Sequence, residues 1–394
     1  MTIEVPADHL PAGAFAPVRP RYGAGSLAEL LPSVSAVLGV PGAVDALGLG
    51  ERLDGVRKIA VLLVDGLGAY QIPVAVPHAP VLGDLTRGTE VALTSAFPST
   101  TPVALVTLGT GARPGEHGVL GFTVRRPDGR ILNHIRWWDD PDPMRWQPVP
   151  TWLETAAASG VAVTVANRSE FAGSGLTVAS VRGGAYAGVA DGAELAGTML
   201  AALIASPGPA LVYGYHPDLD RSGHDAGVDS DEWRSAARGV DALLGRLVAG
   251  LPEDAALLVT ADHGQLNVLG RPFDMGVDAD LALGVAAVAG EPRVRYLYPV
   301  PGARDDVLAA YRAVLGDAAW VMTRDEAIGE GWFGPVPPEH ADRVGEIVVI
   351  CRDRAVVLAS GWEPAAVGNL VAYHGSMTAA EMIVPLLIAR GDGL

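Results

Sequence analysis

Seven residues able to ligate a metal or act as a nucleophile recur in short segments along the chain. Asp65 ends the apolar run Ile59–Val64, and Thr101 sits in Phe-Pro-Ser-Thr-Thr-Pro (97–102). Asp220 and His224 belong to Asp-Arg-Ser-Gly-His, Asp262 and His263 to Thr-Ala-Asp-His-Gly, and His374 opens His-Gly-Ser-Met-Thr. Three carboxylates, three imidazoles and a hydroxyl suffice to hold two divalent cations beside one nucleophile. That combination suits the splitting of phosphate esters.

Taken singly, each piece has a plainer reading. Thr101 before Pro102 reads as a helix cap, since proline favours the first helical position. Asp65 before Gly66-Leu67-Gly68 reads as an Asx-turn, and Asp262-His263 as a polar loop. His374 alone reads as a loop histidine, and Asp218 competes with Asp220 for the same place. Their order, and their position after apolar runs, gives the set its weight.

Those runs, 58–64, 161–166, 209–214 and 256–261, are short and rich in Val, Leu and Ala, as buried parallel strands are. Helical patterns lie between them. Over 231–251 the residues Val240, Leu243, Leu244, Leu247, Val248 and Leu251 keep 3- and 4-residue spacing. Alternating strands and helices imply an α/β fold with a mainly parallel central sheet flanked by helices. Ligands of such sheets gather at the carboxyl ends of the strands, where Asp65, Asp262 and, after a short loop, Asp220 and His224 fall. Residues 1–57, with a helix near 26–38, are expected to wrap a catalytic core made of 58–269 and 371–394. Residues 270–370 read as an inserted small α/β cap, with strands at 292–299, 318–322, 345–351 and 354–359, a helix at 304–315 and loop over 324–344.

Composition narrows the function. The 394 residues are 49% apolar and carry a formal net charge of −17, so a basic surface for nucleic-acid polymers is not expected. An anionic small substrate is compatible, because two divalent cations outweigh three aspartates locally. No run reaches the roughly 18 apolar residues of a membrane span. The N-terminus lacks a basic segment followed by an apolar core, so a cytoplasmic location is expected. The single cysteine, Cys351, excludes an intrachain disulfide and reads as a buried thiol. The oligomeric state is not readable.

With these stretches in view, the chain resembles the alkaline phosphatase superfamily, and within it the type I phosphodiesterase/nucleotide pyrophosphatase family. The resemblance rests on Val-Asp-Gly-Leu-Gly (64–68), Phe-Pro-Ser-Thr-Thr-Pro…Thr-Gly…Pro-Gly-Glu-His-Gly (97–118), Asp-Arg-Ser-Gly-His (220–224), Asp-His-Gly (262–264) and His-Gly (374–375). It implies an alkaline-phosphatase-like sandwich. It also implies one zinc on Asp220, His224 and His374, and another on Asp65, Asp262 and His263 with the nucleophilic Thr101. Thr100 is the alternative nucleophile. The mixed donors suit zinc, and manganese or iron fit them too. The implied activity is hydrolysis of phosphodiester or pyrophosphate bonds in a small phosphate ester, through a covalent phospho-threonine. A phosphomonoesterase, a phosphonate hydrolase or a metal-stabilised binding protein without turnover are the alternatives.

One departure bears on the substrate. Nucleotide pyrophosphatases of this kind usually carry Asn three residues after the nucleophile, and this chain has Ala104. Arg113, Arg125, Arg168 and Arg182 are candidates to replace that donor. Trp137, Trp138, Trp146 and Trp152 read as a packing cluster or a stacking surface for an aromatic leaving group. The segment Asn167–Phe171 follows a strand and could shape a leaving-group pocket, while Thr378-x-x-Glu381 reads as a capping box.

Overall fold

The computed structural model describes residues 6–89 and 91–392. The strands that matter here are β1 (Lys58–Val64), β2 (Val91–Thr94), β3 (Ala162–Arg168), β4 (Ala185–Val189), β5 (Ala210–His216), β6 (Ala255–Thr260), β7 (Val285–Glu291), β8 (Val294–Pro299), β9 (Ala319–Thr323), β10 (Ile347–Cys351) and β11 (Ile383–Arg390). The helices that matter here are α1 (Leu30–Val37), α2 (Thr101–Thr110), α3 (Gly192–Ala205), α4 (Asp218–Ala226), α5 (Asp231–Gly250) and α6 (Arg304–Leu315).

A seven-stranded sheet runs in the order β2-β11-β6-β1-β5-β3-β4. Only β11 is antiparallel to its neighbours, β2 and β6. The central strands are buried along their length, as a sheet covered by helices on both faces requires. This is the expected α/β architecture with a mainly parallel sheet. The carboxyl ends of β1, β5 and β6 therefore lie side by side, with Val64 opposite His216 and Leu63 opposite Thr260. The start of β11 reaches the same edge because it runs the other way.

The expected helix near 26–38 appears as a 3₁₀ turn followed by α1, and Ser26 with Glu29 forms a capping box at its start. The expected 231–251 helix is α5, and Val240, Leu243, Leu244 and Leu247 are buried on its inner face. Strands β2, β4, β7 and β11 were outside the expected set. The 324–344 stretch is not all loop, since it holds short helices at Arg324–Gly329 and Pro338–Ala341. The 354–359 strand shrinks to Val357–Leu358, paired with Phe273–Asp274.

The second sheet is antiparallel, in the order β7-β8-β10-β9, and is buried on both faces. Alternation along β10 shows how. Ile347, Val349 and Cys351 join Val307, Tyr311 and Leu315 of α6 in a separate core, whereas Val348 and Ile350 join the main core. The N-terminal segment lies against both parts. The Val18 N–H donates to the Met377 carbonyl (2.7 Å), and buried Asp8 pairs with Arg354 (2.6 Å).

Candidate metal centre

Each ligand-type side chain is placed by a strand end or by the segment just after one. β1 delivers Asp65, whose N–H donates to the His216 carbonyl at 3.0 Å, so the β1–β5 pairing continues one residue past the strand. Gly66 comes next at φ +75°, and a side chain there would lie 3.1 Å from Asp220 Cβ. Glycine at 66 is what lets the two segments approach. β6 delivers Asp262 and His263. Asp262 Oδ1 accepts from the N–H groups of Gly66 (3.2 Å) and His263 (3.0 Å). β5 leads through Pro217 into α4, which carries Asp220 and His224 one turn apart on one face. A two-stranded ladder pairing Ala372–Tyr373 with Leu266–Asn267 sets His374 beside them. Thr101 opens α2, every residue of which is buried, and Thr100 is its N-cap.

Two groups result. In the first, His263 Nε2 is 3.6 Å from Asp65 Oδ1, 3.3 Å from Asp262 Oδ2 and 3.1 Å from Thr101 Oγ1. In the second, Asp220 Oδ2 lies 3.3 Å from His224 Nε2, and Asp220 Oδ1 lies 3.8 Å from His374 Nε2. Within each group the carboxylate and imidazole ligand atoms all lie within 4.8 Å of one another. The groups adjoin, because the His263 and His374 rings stack with centroids 3.5 Å apart. All seven residues singled out in the sequence meet here. The Thr101 hydroxyl faces the first group, while the Thr100 hydroxyl faces Glu291 instead.

The residues fit a pair of divalent cations on three counts. Asp65 Oδ1 and Asp262 Oδ2 are buried without a hydrogen-bond partner, which is costly for a carboxylate unless a cation balances it. Burial, with Asp220 and Asp262 beside it, pushes the Asp65 carboxyl well above the usual range, and burial raises Asp262 as well. Each imidazole turns Nδ1 to a backbone carbonyl, leaving Nε2 to face the centre. His224 uses Ala372 (2.8 Å), His374 uses Ser99 (3.0 Å) and His263 uses Gly264 (3.3 Å). Such partners orient metal-bound histidines. Burial, then His263 and His224, hold the His374 ring well below its ordinary value, keeping it in the neutral form a ligand needs.

Residues not singled out in the sequence complete the surround. The Tyr215 hydroxyl donates to Asp65 Oδ2, and the Gln265 amide donates to Asp220 Oδ1 and to its carbonyl, the latter at 3.0 Å. Both lie within two residues of a strand end or of a ligand, which was the available signal. Asp218 is not in the centre. Two residues round α4 from Asp220, its two carboxylate oxygens both accept from Arg168 Nη2 (2.8 and 2.9 Å).

The other candidate arginines are also engaged. Arg182 pairs with Glu154 at 2.8 Å, while Arg125 and Arg113 lie over the Tyr298 and Tyr22 rings. Ala104 is buried within α2. Trp137 and Trp146 pack inside the protein, whereas Trp138 is exposed. Phe171 reaches the sheet edge, with its ring 6.2 Å from that of Tyr215. The Thr378–Glu381 pair departs from a capping box. Its hydroxyl does donate to Glu381 Oε2 (2.6 Å), but that carboxylate is buried and accepts from Arg293 Nε and Nη2 (2.9 and 2.7 Å).

The sequence model of the type I phosphodiesterase/nucleotide pyrophosphatase family matches residues 59–377, and the chain belongs to that family. Its superfamily is that of alkaline phosphatase, whose members are metal-dependent, and the chain is a hydrolase of phosphoester or phosphonate bonds. Among solved structures it is similar to murine ectonucleotide pyrophosphatase/phosphodiesterase 5, with 21% identity, 85% of this chain and 90% of that chain covered, and a TM-score of 0.67. It is also similar to phosphonoacetate hydrolase from Sinorhizobium meliloti 1021, solved with phosphonoacetate, with 21% identity, coverage of 86% and 91%, and a TM-score of 0.63. At this identity the likeness is one of fold. Among the described residues no helix is long and apolar enough to cross a membrane.

Proposed function

We propose that this protein hydrolyses phosphodiester or pyrophosphate bonds of a small substrate, with Thr101 as nucleophile. The observation that carries the reading is the pair of partnerless buried carboxylate oxygens, Asp65 Oδ1 and Asp262 Oδ2, facing inward-turned imidazoles beside the Thr101 hydroxyl. Asp65, Asp262, His263 and Thr101 would hold one divalent cation, and Asp220, His224 and His374 the other, with zinc best matched to these donors. When bound, the two cations supply positive charge that favours the threonine alkoxide and offsets charge growing on the phosphoryl and leaving oxygens.

The chain does the rest. Thr101 attacks phosphorus, the bond to the leaving oxygen breaks, and a phospho-threonine remains until water displaces it. The first N–H groups of α2 have no intrahelical acceptor and can donate to a phosphoryl oxygen. A murine ectonucleotide pyrophosphatase/phosphodiesterase 5 variant solved with AMP is consistent with a nucleotide substrate. The segment Asn167–Phe171 and Tyr215 would flank the leaving group. In this reading 58–269 with 371–394 form the catalytic core, 1–57 wrap it, 270–370 are the insertion, and the protein is cytoplasmic, which fractionation checks.

Turnover of bis-p-nitrophenyl phosphate against p-nitrophenyl phosphate by zinc-loaded protein tests the proposal. Diester preference, lost by roughly three orders of magnitude or more in Thr101→Ala with metal content intact, is expected. Monoester or phosphonoacetate preference would reassign the substrate class. Full activity in Thr101→Ala would move the nucleophile.

A further inference from the structure

The two-residue turn between β7 and β8 brings the second sheet to the segments that carry Thr101 and His374. Glu291 and Val294 are paired across this hairpin, with Pro292 and Arg293 at its tip. Glu291 is 6% exposed, and its Oε1 has no hydrogen-bond partner. The Thr100 hydroxyl, adjacent to the candidate nucleophile, lies beside this carboxyl and is itself buried without a hydrogen-bond partner. The other side of the carboxyl lies against Gly375, which sits at φ +132° beside His374. A side chain built there would come within 2.6 Å of Glu291 Cδ.

The same two segments are already tied to each other. The Ser99 N–H donates to the Gly375 carbonyl at 2.9 Å, and His374 Nδ1 bonds the Ser99 carbonyl at 3.0 Å. Arg293 anchors the hairpin tip through Glu381, whose Oε1 accepts from the Ser376 N–H at 2.9 Å. The carboxyl of Glu291 thus fills a slot bounded by the residue before Thr101 and the residue after His374.

We propose that Glu291 is a positioning residue for the metal centre: wedged between Thr100 and Gly375, it fixes the Thr101-bearing and His374-bearing segments relative to one another. It thereby sets the aim of the His374 Nε2 lone pair and of the Thr101 hydroxyl. The proposal rests on the roles given to Thr101 and His374 above. Burial pushes the Glu291 carboxyl up to about 8, with the Thr100 contact opposing the rise and Glu381 adding to it. Glutamine keeps the length and shape of the side chain and an oxygen that can accept. Alanine leaves the slot empty, and aspartate is one methylene too short to span it.

Zinc affinity, measured by competition with a chromogenic chelator, tests this directly. In Glu291→Ala and Glu291→Asp, one of the two zinc ions should bind roughly 10–100-fold more weakly, the usual effect of removing a group that orients a ligand. In Glu291→Gln, affinity should return to within about twofold of wild type. Where diester turnover is measured, kcat should fall by a similar factor while KM stays near wild type. Wild-type zinc affinity in a folded Glu291→Ala protein would overturn the proposal, as would an equal loss in Glu291→Gln. If Glu291→Ala does not fold, Glu291→Asp decides by the same criteria. If the wild-type protein splits no ester, the proposed function fails, and the zinc titration still decides the role of Glu291.

Discussion

Six of the nine histidines fall into two buried clusters, and they are used in opposite ways. In the candidate metal centre, His224, His263 and His374 each spend Nδ1 on a backbone carbonyl and turn Nε2 toward carboxylates. In the second cluster the ring nitrogens of His117 and His134 are all used within the protein. His117 meets the Thr107 hydroxyl (3.0 Å) and the Val119 N–H (3.1 Å), and His134 meets the Gly121 carbonyl (2.8 Å) and the Trp146 Nε1–H (3.1 Å). His340 joins them across from the second sheet, bonded to the Gly115 carbonyl at 2.8 Å, and Arg343 lies 3.6 Å from the Trp146 ring centroid. Residue type is the same in both places, and every one of the six but the half-buried His224 is buried. What separates ligand from packing histidine is where the second nitrogen's partner comes from: the protein, or a carboxylate that itself lacks a counter-charge.

The sharpest way to break this contrast is to remove one member from each side. Asp262→Asn should leave fewer than two zinc ions per chain and lower diester turnover by roughly three orders of magnitude. His117→Gln should keep both metals by elemental analysis. Metal loss in His117→Gln, or full metal content in Asp262→Asn, would erase the distinction.

A smaller effect should accompany chelation. Stripping the metals leaves the Asp65, Asp220 and Asp262 carboxylates facing one another, so the melting temperature should drop by several degrees and recover with added zinc. An unchanged melting temperature in chelator would mean that the centre is not held by cations.

Acid should also act on the other cluster. Burial holds His134 at about 4 in the folded protein, against 6.5 for the free side chain. Between those values the unfolded chain binds a proton that the folded one refuses, so stability falls as pH falls from 6.5 toward 4. The loss from this one group is on the order of 3 kcal/mol. His134→Gln should flatten the dependence of melting temperature on pH in that window for the zinc-loaded protein, and an unflattened curve would show that His134 is not the group responsible. The smallest effect should be that of Trp146→Phe. It loses one hydrogen bond to His134, about 1 kcal/mol, with zinc content and turnover unchanged.

The strands that the sequence disclosed include β1, β5 and β6, buried on both faces and rich in Val, Leu and Ala, together with β3, β8, β9 and β10. Those it hid have local reasons to hide. β2 is only four residues long, and β4 carries Gly188 within Ala-Tyr-Ala-Gly-Val. β11 contains Pro385, which is tolerated because pairing with β6 begins only at Leu386. β7, Val-Ala-Ala-Val-Ala-Gly-Glu, has little strand propensity of its own and is fixed by its hairpin with β8.

The metal-type residues were legible because each comes after a strand end or carries a recognisable neighbour. Tyr215, Gln265 and Glu291 were not, because the groups they touch are distant in sequence. Tyr215 meets Asp65 across the sheet, Gln265 meets Asp220, and Glu291 reaches Thr100 from a strand that was itself unseen.

The placement of β11 has a consequence for biosynthesis. In the sheet, β2 touches only β11, and β11 is the strand that joins it to β6. A nascent chain that has emerged through residue 370 carries every ligand but His374, and its β2 has no strand to pair with. Completion of the Asp220, His224 and His374 group and closure of that sheet edge therefore wait together for the segment 374–390. A ribosome-arrest force profile should register them as one late pulling event, and premature release before that point should yield a chain that retains at most one zinc ion per molecule and leaves its β2 edge open.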